Sequence, residues 1–272
     1  MDALIIVCIL TGLIHFSETI ASSMRLAGVR TRQVATSISF VNASLIVSRM
    51  SNMLQAPVVG GMVDTAILRG DISTLQSNFR IIIFAAFIGN LIGALLVPFA
   101  VAVFTRAIYR FEKTGSLPRV ILSAFIPGNM LAIIKSFRLP TLSSLKGISL
   151  AGIPKTFLVL NVLMVSIYAI GVLASLFAGA QIPTYRVTAT QLSGIVNGIA
   201  TILLVLMVDP VCAHITDQAV RGKRKEDDVK TMVFYVVMGR VFGTLILSQL
   251  LFLPAAGYIK QVTLLVRALF LR

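Results

Sequence analysis

Two arginines, Arg49 and Arg240, stand inside otherwise apolar stretches, Val47-Ser48-Arg49-Met50 and Val237-Met238-Gly239-Arg240-Val241. A guanidinium keeps its charge at physiological pH, and its planar fork pairs two oxygens of a phosphate or carboxylate at once. At membrane depth such a group is costly unless paired or hydrated, so each one needs a reason. Around Arg49 the residues Asn42, Arg49 and Asn52 fall on one helical face, flanked by Ser48 and Gln55. His15 and Glu18, three residues apart, also share a face. Asn90, Asn197, Asp209 and Asp217 place further polar groups in or beside apolar runs.

These residues suggest a polar cavity between helices. In it Arg49 and Arg240 would receive an anionic group such as phosphate, and Asn52, Gln55 and Asn197 would meet neutral polar groups. The competing reading is internal pairing, with Glu18 the obvious partner for either arginine. Glu18 and Asp209 are then charge partners or proton-responsive groups. Arg25, Arg30 and Arg32 are either topology determinants or cations at the mouth of the cavity, drawing an anion in.

No catalytic motif competes for these residues. The two histidines, His15 and His214, form no His-x-x-Glu-His pattern, and there is neither a Gly-x-Ser-x-Gly elbow nor a glycine-rich phosphate loop before a lysine. Cys8 and Cys212 lie far apart in or next to apolar runs, so neither a disulfide framework nor a metal site is expected. The expectation is a protein that is not an enzyme, has no cofactor, and draws any energy from an ion gradient, the membrane potential or the substrate's own gradient.

The elements that must position these groups are membrane helices. The chain of 272 residues is 57% hydrophobic and only 12% charged, half the roughly 25% of a soluble domain. Its apolar residues gather in runs of about twenty, the length a helix needs to cross the hydrocarbon. The reading is an all-α polytopic membrane protein, one membrane domain over 1–272. Six spans are expected at 3–24, 33–58, 81–104, 156–179, 187–209 and 231–253. The first run lacks a basic flank and is too long for a signal-peptide core, so it is read as a retained span.

The net charge of +14 follows from the loops rather than from a nucleic-acid surface. Sixteen basic residues fall in 25–32, 105–155 and 216–230, against six in the remaining connections and the C-terminal segment. The heavily basic side faces the cytoplasm, which puts both termini outside. The apolar stretch 120–134 is short and interrupted by Pro127-Gly128. Counting it as a span erases the charge bias, so it is read as a re-entrant or interfacial element of a cytoplasmic connector, 105–155, whose residues from Lys135 to Lys155 run along the headgroups.

The halves 1–104 and 156–253 share a pattern. Asn52 precedes Met62-Val63-Asp64 as Asn197 precedes Met207-Val208-Asp209, and Gly89-x3-Gly93-x-Leu95 matches Gly239-x3-Gly243-x-Leu245. With three spans between copies the halves would be inverted, as in many transporters. Coincidence in a chain of few residue types is the alternative. The glycine pairs are expected to let helices approach closely. Asp209-Pro210 is expected to end the fifth span.

The block Ser23-Met24-Arg25-Leu26-Ala27-Gly28-Val29-Arg30-Thr31, with Val47-Ser48-Arg49 and Asn52-Met53-Leu54-Gln55-Ala56-Pro57, resembles the Amj family, bacterial alternate lipid II flippases that substitute for the unrelated MurJ. Asn197-Gly198-Ile199-Ala200-Thr201-Ile202-Leu203, Asp209-Pro210 and Gly239-Arg240 with Gly243-Thr244-Leu245 are similar to that family's later segments. The resemblance implies a multi-pass protein of the bacterial cell membrane. It would move undecaprenyl-diphosphate-linked disaccharide-pentapeptide, lipid II, to the outer leaflet for peptidoglycan synthesis. Membrane lipids are the other expected partners, nucleic acid is not one, and so large a head group points to a homodimer. The residues themselves leave open an ion-coupled transporter of a small anionic solute, a membrane enzyme acting on polyprenyl phosphates, and an assembly subunit.

Overall fold

The computed structural model describes residues 2–141, 147–150 and 152–270. These residues are nearly all helical, with no strand among them. Asp2 caps α1 (Ala3–Ser22), which breaks at Ser23 and continues as the short α2 (Met24–Thr31). Arg32, in the left-handed region with φ 56°, turns the chain into α3 (Val34–Arg69). Gly70 closes that helix, and Asp71 caps α4 (Ile72–Thr114) by accepting from the Thr74 amide at 3.1 Å. Next come α5 (Leu117–Ala124) and α6 (Pro127–Ile134), bent by 79° where Pro127 removes a backbone donor. The second half comprises α7 (Lys155–Gln181), α8 (Arg186–Gln191), α9 (Ser193–Leu203), α10 (Asp209–Val220), α11 (Glu226–Phe242) and α12 (Ser248–Phe270).

The all-α polytopic class holds, with two differences in the spans. Among the described residues, five helical runs, at 3–31, 72–114, 155–181, 183–220 and 226–270, are long and apolar enough to cross a membrane, and the bent pair α5–α6 makes a sixth if it is one span. The span expected at 33–58 lies in α3, which at 36 residues is long enough but is not among the five. Arg49, Asn42, Asn52 and Gln55 dilute its apolar character. The second difference concerns Pro210, which does not end its helix. A π-turn at Leu204–Val208 puts the proline in the first turn of α10, where a missing N–H is tolerated, and the run continues to Val220. Of the connector's expected headgroup stretch, 142–146 and 151 lie outside the described residues.

Contacts define the directions of the helices. Thr11 donates to Gln55 Oε1 at 3.1 Å and Ser48 to Glu18 Oε1 at 3.0 Å, so α1 and α3 are antiparallel. α4 runs parallel to α1, with Gly89 on Gly12 and Gly93 on Thr19. In the second half, Gly171 faces Asn197 and Gly179 faces Thr190, which makes α7 and α9 antiparallel. Ser166 donates to the Gly243 carbonyl at 3.1 Å and Asn161 to Val236 at 3.2 Å, which makes α11 parallel to α7. Between halves the long helices oppose each other. Asn90 donates to Thr244 Oγ1 at 3.1 Å, while Gln249 donates to the Arg80 carbonyl at 2.9 Å.

Lipid tails are as apolar as leucine, so close packing and hydrogen bonds must hold these helices together. Gly89 and Gly239 supply the close approach, since a Cβ on either would collide with the Gly12 carbonyl or the Asn161 amide. One apolar core joins α4, α7 and α12 through Phe79, Phe177 and Phe252, whose rings lie 5.4–6.4 Å apart. A second joins α7, α10 and α11 through Met164, Val165, Ile215 and Met232.

Candidate anion cavity between the helices

A cavity of about 270 Å³ lies between α1, α3, α4, α7, α8 and α9. Its polar lining comes from Thr11 and His15 of α1, Ser48, Arg49, Asn52 and Gln55 of α3, Tyr168 of α7, Thr190 of α8 and Asn197 of α9. The stretch 48–59 of α3 supplies most of one wall because residues three and four apart share a helical face. Arg49, Asn52, Gln55 and Asn197, expected as site residues, therefore do meet. Arg49 has no carboxylate partner and no hydrogen bond among the described residues, so its charge is free to bind an anion.

The other expected cations sit elsewhere. Arg240 does not line the cavity. Its Nη1 donates to Glu18 Oε2 at 3.0 Å, the pairing that competed with anion binding. Both side chains are well buried, 17% and 10% exposed, so the pair shields two charges that would otherwise be costly there. Ser48 ties the second Glu18 oxygen to the cavity wall. Arg25 pairs with Asp209 at 2.6 Å and Arg30 with Glu226 at 2.7 Å. Arg32 is exposed and caps α2 with its backbone. Acids distant in the chain pair with Arg25, Arg30 and Arg240, and none of these three arginines lines the cavity.

Five polar lining groups were not in the expected site: His15 and Ser48, singled out only as polar neighbours, and Tyr168, Thr11 and Thr190. Tyr168 is a polar tip in a run that reads as a plain span, and Thr11 and Thr190 resemble any helical threonine. Thr11 is four residues before His15, so helical spacing from the His15–Glu18 face was the available signal. His15 Nδ1 and Arg240 Nε are both buried without a hydrogen-bond partner. Asn197 reaches the wall because Gly171 opposite has no side chain. Among the described residues no cluster of His, Cys, Asp and Glu could hold a metal, and both cysteines are free.

The arrangement can therefore bind an anion at one uncompensated guanidinium and offer amides and hydroxyls to the groups attached to it. The sequence model of the Amj family, described as Alternate to MurJ, matches residues 10–263. The chain is 40% identical to Lipid II flippase Amj of Bacillus subtilis (strain 168) over 263 residues, 96% of this chain and 97% of that protein. No solved structure matches. With agreement along nearly the whole length of both proteins, this multi-pass membrane chain belongs to the Amj family.

Proposed function

We propose that this chain is a lipid II flippase of the bacterial cell membrane, carrying the undecaprenyl-diphosphate-linked precursor from the inner to the outer leaflet. The reading rests on the 40% identity, over almost both full lengths, to a protein named for that activity. The cavity supplies its physical basis. Arg49 receives the diphosphate, while Asn52, Gln55, Asn197 and Tyr168 contact the head group's neutral polar atoms. The polyprenyl tail stays in lipid. Arg240 is held by Glu18 and reaches an anion only if that pair opens. The excess of basic residues in 25–32, 105–155 and 216–230 supports termini on the outer side. A homodimer would thicken the wall around so large a head.

The cavity is small. At about 270 Å³ it falls below the roughly 300–1,000 Å³ that encloses a drug-sized ligand. It accommodates a diphosphate, and a glycopeptide head requires the helices to part. The same size favours the rival reading, ion-coupled transport of a small anion.

The test is outer-leaflet lipid II in cells whose sole flippase is this chain, measured with an externally added lipid II-cleaving enzyme. Cleavage should match that of cells with their own flippase, and Arg49→Ala protein that inserts normally should lose about tenfold or more, the loss expected for one charged contact worth roughly 1.5–3 kcal/mol. Absence of cleavage, together with uptake of inorganic phosphate or another small anion by proteoliposomes, would replace this reading by the rival one.

A further inference from the structure

Two ion pairs bracket the cavity, and they are built alike. Arg25 lies in α2, the short helix between α1 and α3, and meets Asp209 at 2.6 Å at the start of α10. Arg186 opens α8, the short helix between α7 and α9, and meets Asp64 of α3 at 2.6 Å. Each aspartate ends a Met-Val-Asp triplet, and the valine before it, Val63 or Val208, is buried. Thus the arginine connecting the first two long helices of one half grips the second long helix of the other half. The exchange is reciprocal.

The two pairs lie at opposite ends of the protein. α3 starts beside α2, and Asp64 is 30 residues beyond Val34, about 45 Å along a helix at 1.5 Å per residue. The cavity residues 48–59 of α3 fall between these ends. Each half is tied internally, α1 to α4 by Gly12–Gly89 and Thr19–Asn90, and α7 to α11 by Asn161 and Ser166. The halves meet midway, where Asn90 donates to the Arg240 carbonyl at 3.3 Å and Arg240 pairs with Glu18, and again toward the Arg186 end, where Phe79 packs on Phe177 and Phe252 and Gln249 donates to the Arg80 carbonyl. Asn90 and Arg240 hold matching places after the first glycine of the Gly-x3-Gly segments.

We propose that Arg25–Asp209 and Arg186–Asp64 are alternating latches of two inverted halves that rock about the Asn90–Arg240 contact. With both latches closed the halves are held together at both ends of the cavity. Releasing one opens that end while the other holds. Their partial exposure, 32% and 46% for the first pair and 43% and 56% for the second, suits latches that must break on each cycle. The proposal deepens the transport reading, since it supplies the widening that the head group needs, and it does not depend on which anion is carried.

The test uses the full chain in sealed vesicles of uniform orientation, with Cys8→Ala, Cys212→Ala and a reporter, Ala56→Cys, on the cavity wall. A membrane-impermeant maleimide is applied from each face. Asp209→Asn should raise labelling from the Arg25 end about three- to fivefold and lower it from the other, and Asp64→Asn should do the reverse. A second set, Arg25→Cys/Asp209→Cys and Arg186→Cys/Asp64→Cys, is cross-linked before labelling, and each cross-link should abolish labelling from its own end only. Equal effects on both faces, or unchanged labelling in both sets, would overturn the latches. Because labelling needs no lipid II, a failed flipping assay with face-specific labelling would instead count against the substrate.

Discussion

Glu18 accepts a hydrogen bond from Arg240 at 3.0 Å, joining α1 of the first half to α11 of the second. Removing one partner strands the other charge in a poorly hydrated place. Glu18→Gln and Arg240→Met are each expected to cost about 3 kcal/mol, and the double variant less than either alone. Thermal unfolding in detergent, analysed as a double-mutant cycle, measures the coupling. Equal losses that simply add would mean the charges do not depend on each other.

Not all glycines in these helices serve packing. A Cβ at Gly89 would meet the Gly12 backbone, whereas Gly60 and Gly61 have nothing within 4 Å. Gly89→Ala should therefore separate α1 from α4 and lower the unfolding temperature. Gly60→Ala should be neutral or gain up to about 1 kcal/mol from helix propensity. If both alanines behave alike, close approach at Gly89 is not what holds that pair of helices.

The sequence announced the helices and the Gly-x3-Gly contacts because both depend on local spacing. It also announced the α3 face, since Arg49, Asn52 and Gln55 share one stripe and all three line the cavity. What escaped was pairing between segments far apart. Arg25 and Asp209 are separated by 184 positions, and nothing local marks them as partners. Arg240 differed for the same reason: its span is visible, but the direction of its guanidinium is decided by Glu18 on another helix. The π-turn before Pro210 was hidden because a proline in an apolar run reads as a terminator whether or not the preceding turn can widen.

Asn90 is fully buried at the crossing of α4 with α1 and α11. It accepts from Thr19 at 2.6 Å and donates to Thr244 at 3.1 Å and to the Arg240 carbonyl at 3.3 Å. Interhelical hydrogen bonds in membranes average about 0.6 kcal/mol each, so Asn90→Leu should cost about 2 kcal/mol and leave Thr19 without its acceptor. Reversible unfolding from detergent into denaturant gives the value. A loss no larger than that of Ile92→Ala, on the lipid side of α4, would show that the network adds nothing.

Asp71 caps α4 from outside the apolar runs. Hydrogen bonds from Thr74, side chain and backbone, and from Ser73 hold its carboxyl below the usual carboxylate range, helped slightly by Arg69. A depressed value means that the stabilisation is complete above the unfolded carboxyl's pKa of about 4 and disappears as pH falls through the folded one. Amide exchange at residues 72–75 should accelerate in acid relative to the intrinsic rate, and Asp71→Asn should remove that pH dependence while keeping a cap. The same acceleration in the Asn variant would assign it to another group.

Arg32 is the one non-glycine with positive φ among the described residues, and its side chain is exposed. Its amide closes α2 onto the Gly28 and Val29 carbonyls, so the backbone conformation, rather than the guanidinium, makes the corner into α3. The left-handed conformation costs a residue with a Cβ about 1 kcal/mol, which glycine avoids. Arg32→Gly should therefore stabilise the protein by about that amount and leave flipping intact, while Arg32→Ala should do neither harm nor good to stability. A flipping defect in a well-folded Arg32→Gly protein would return this arginine to the substrate path, because strain relief alone would not impair transport.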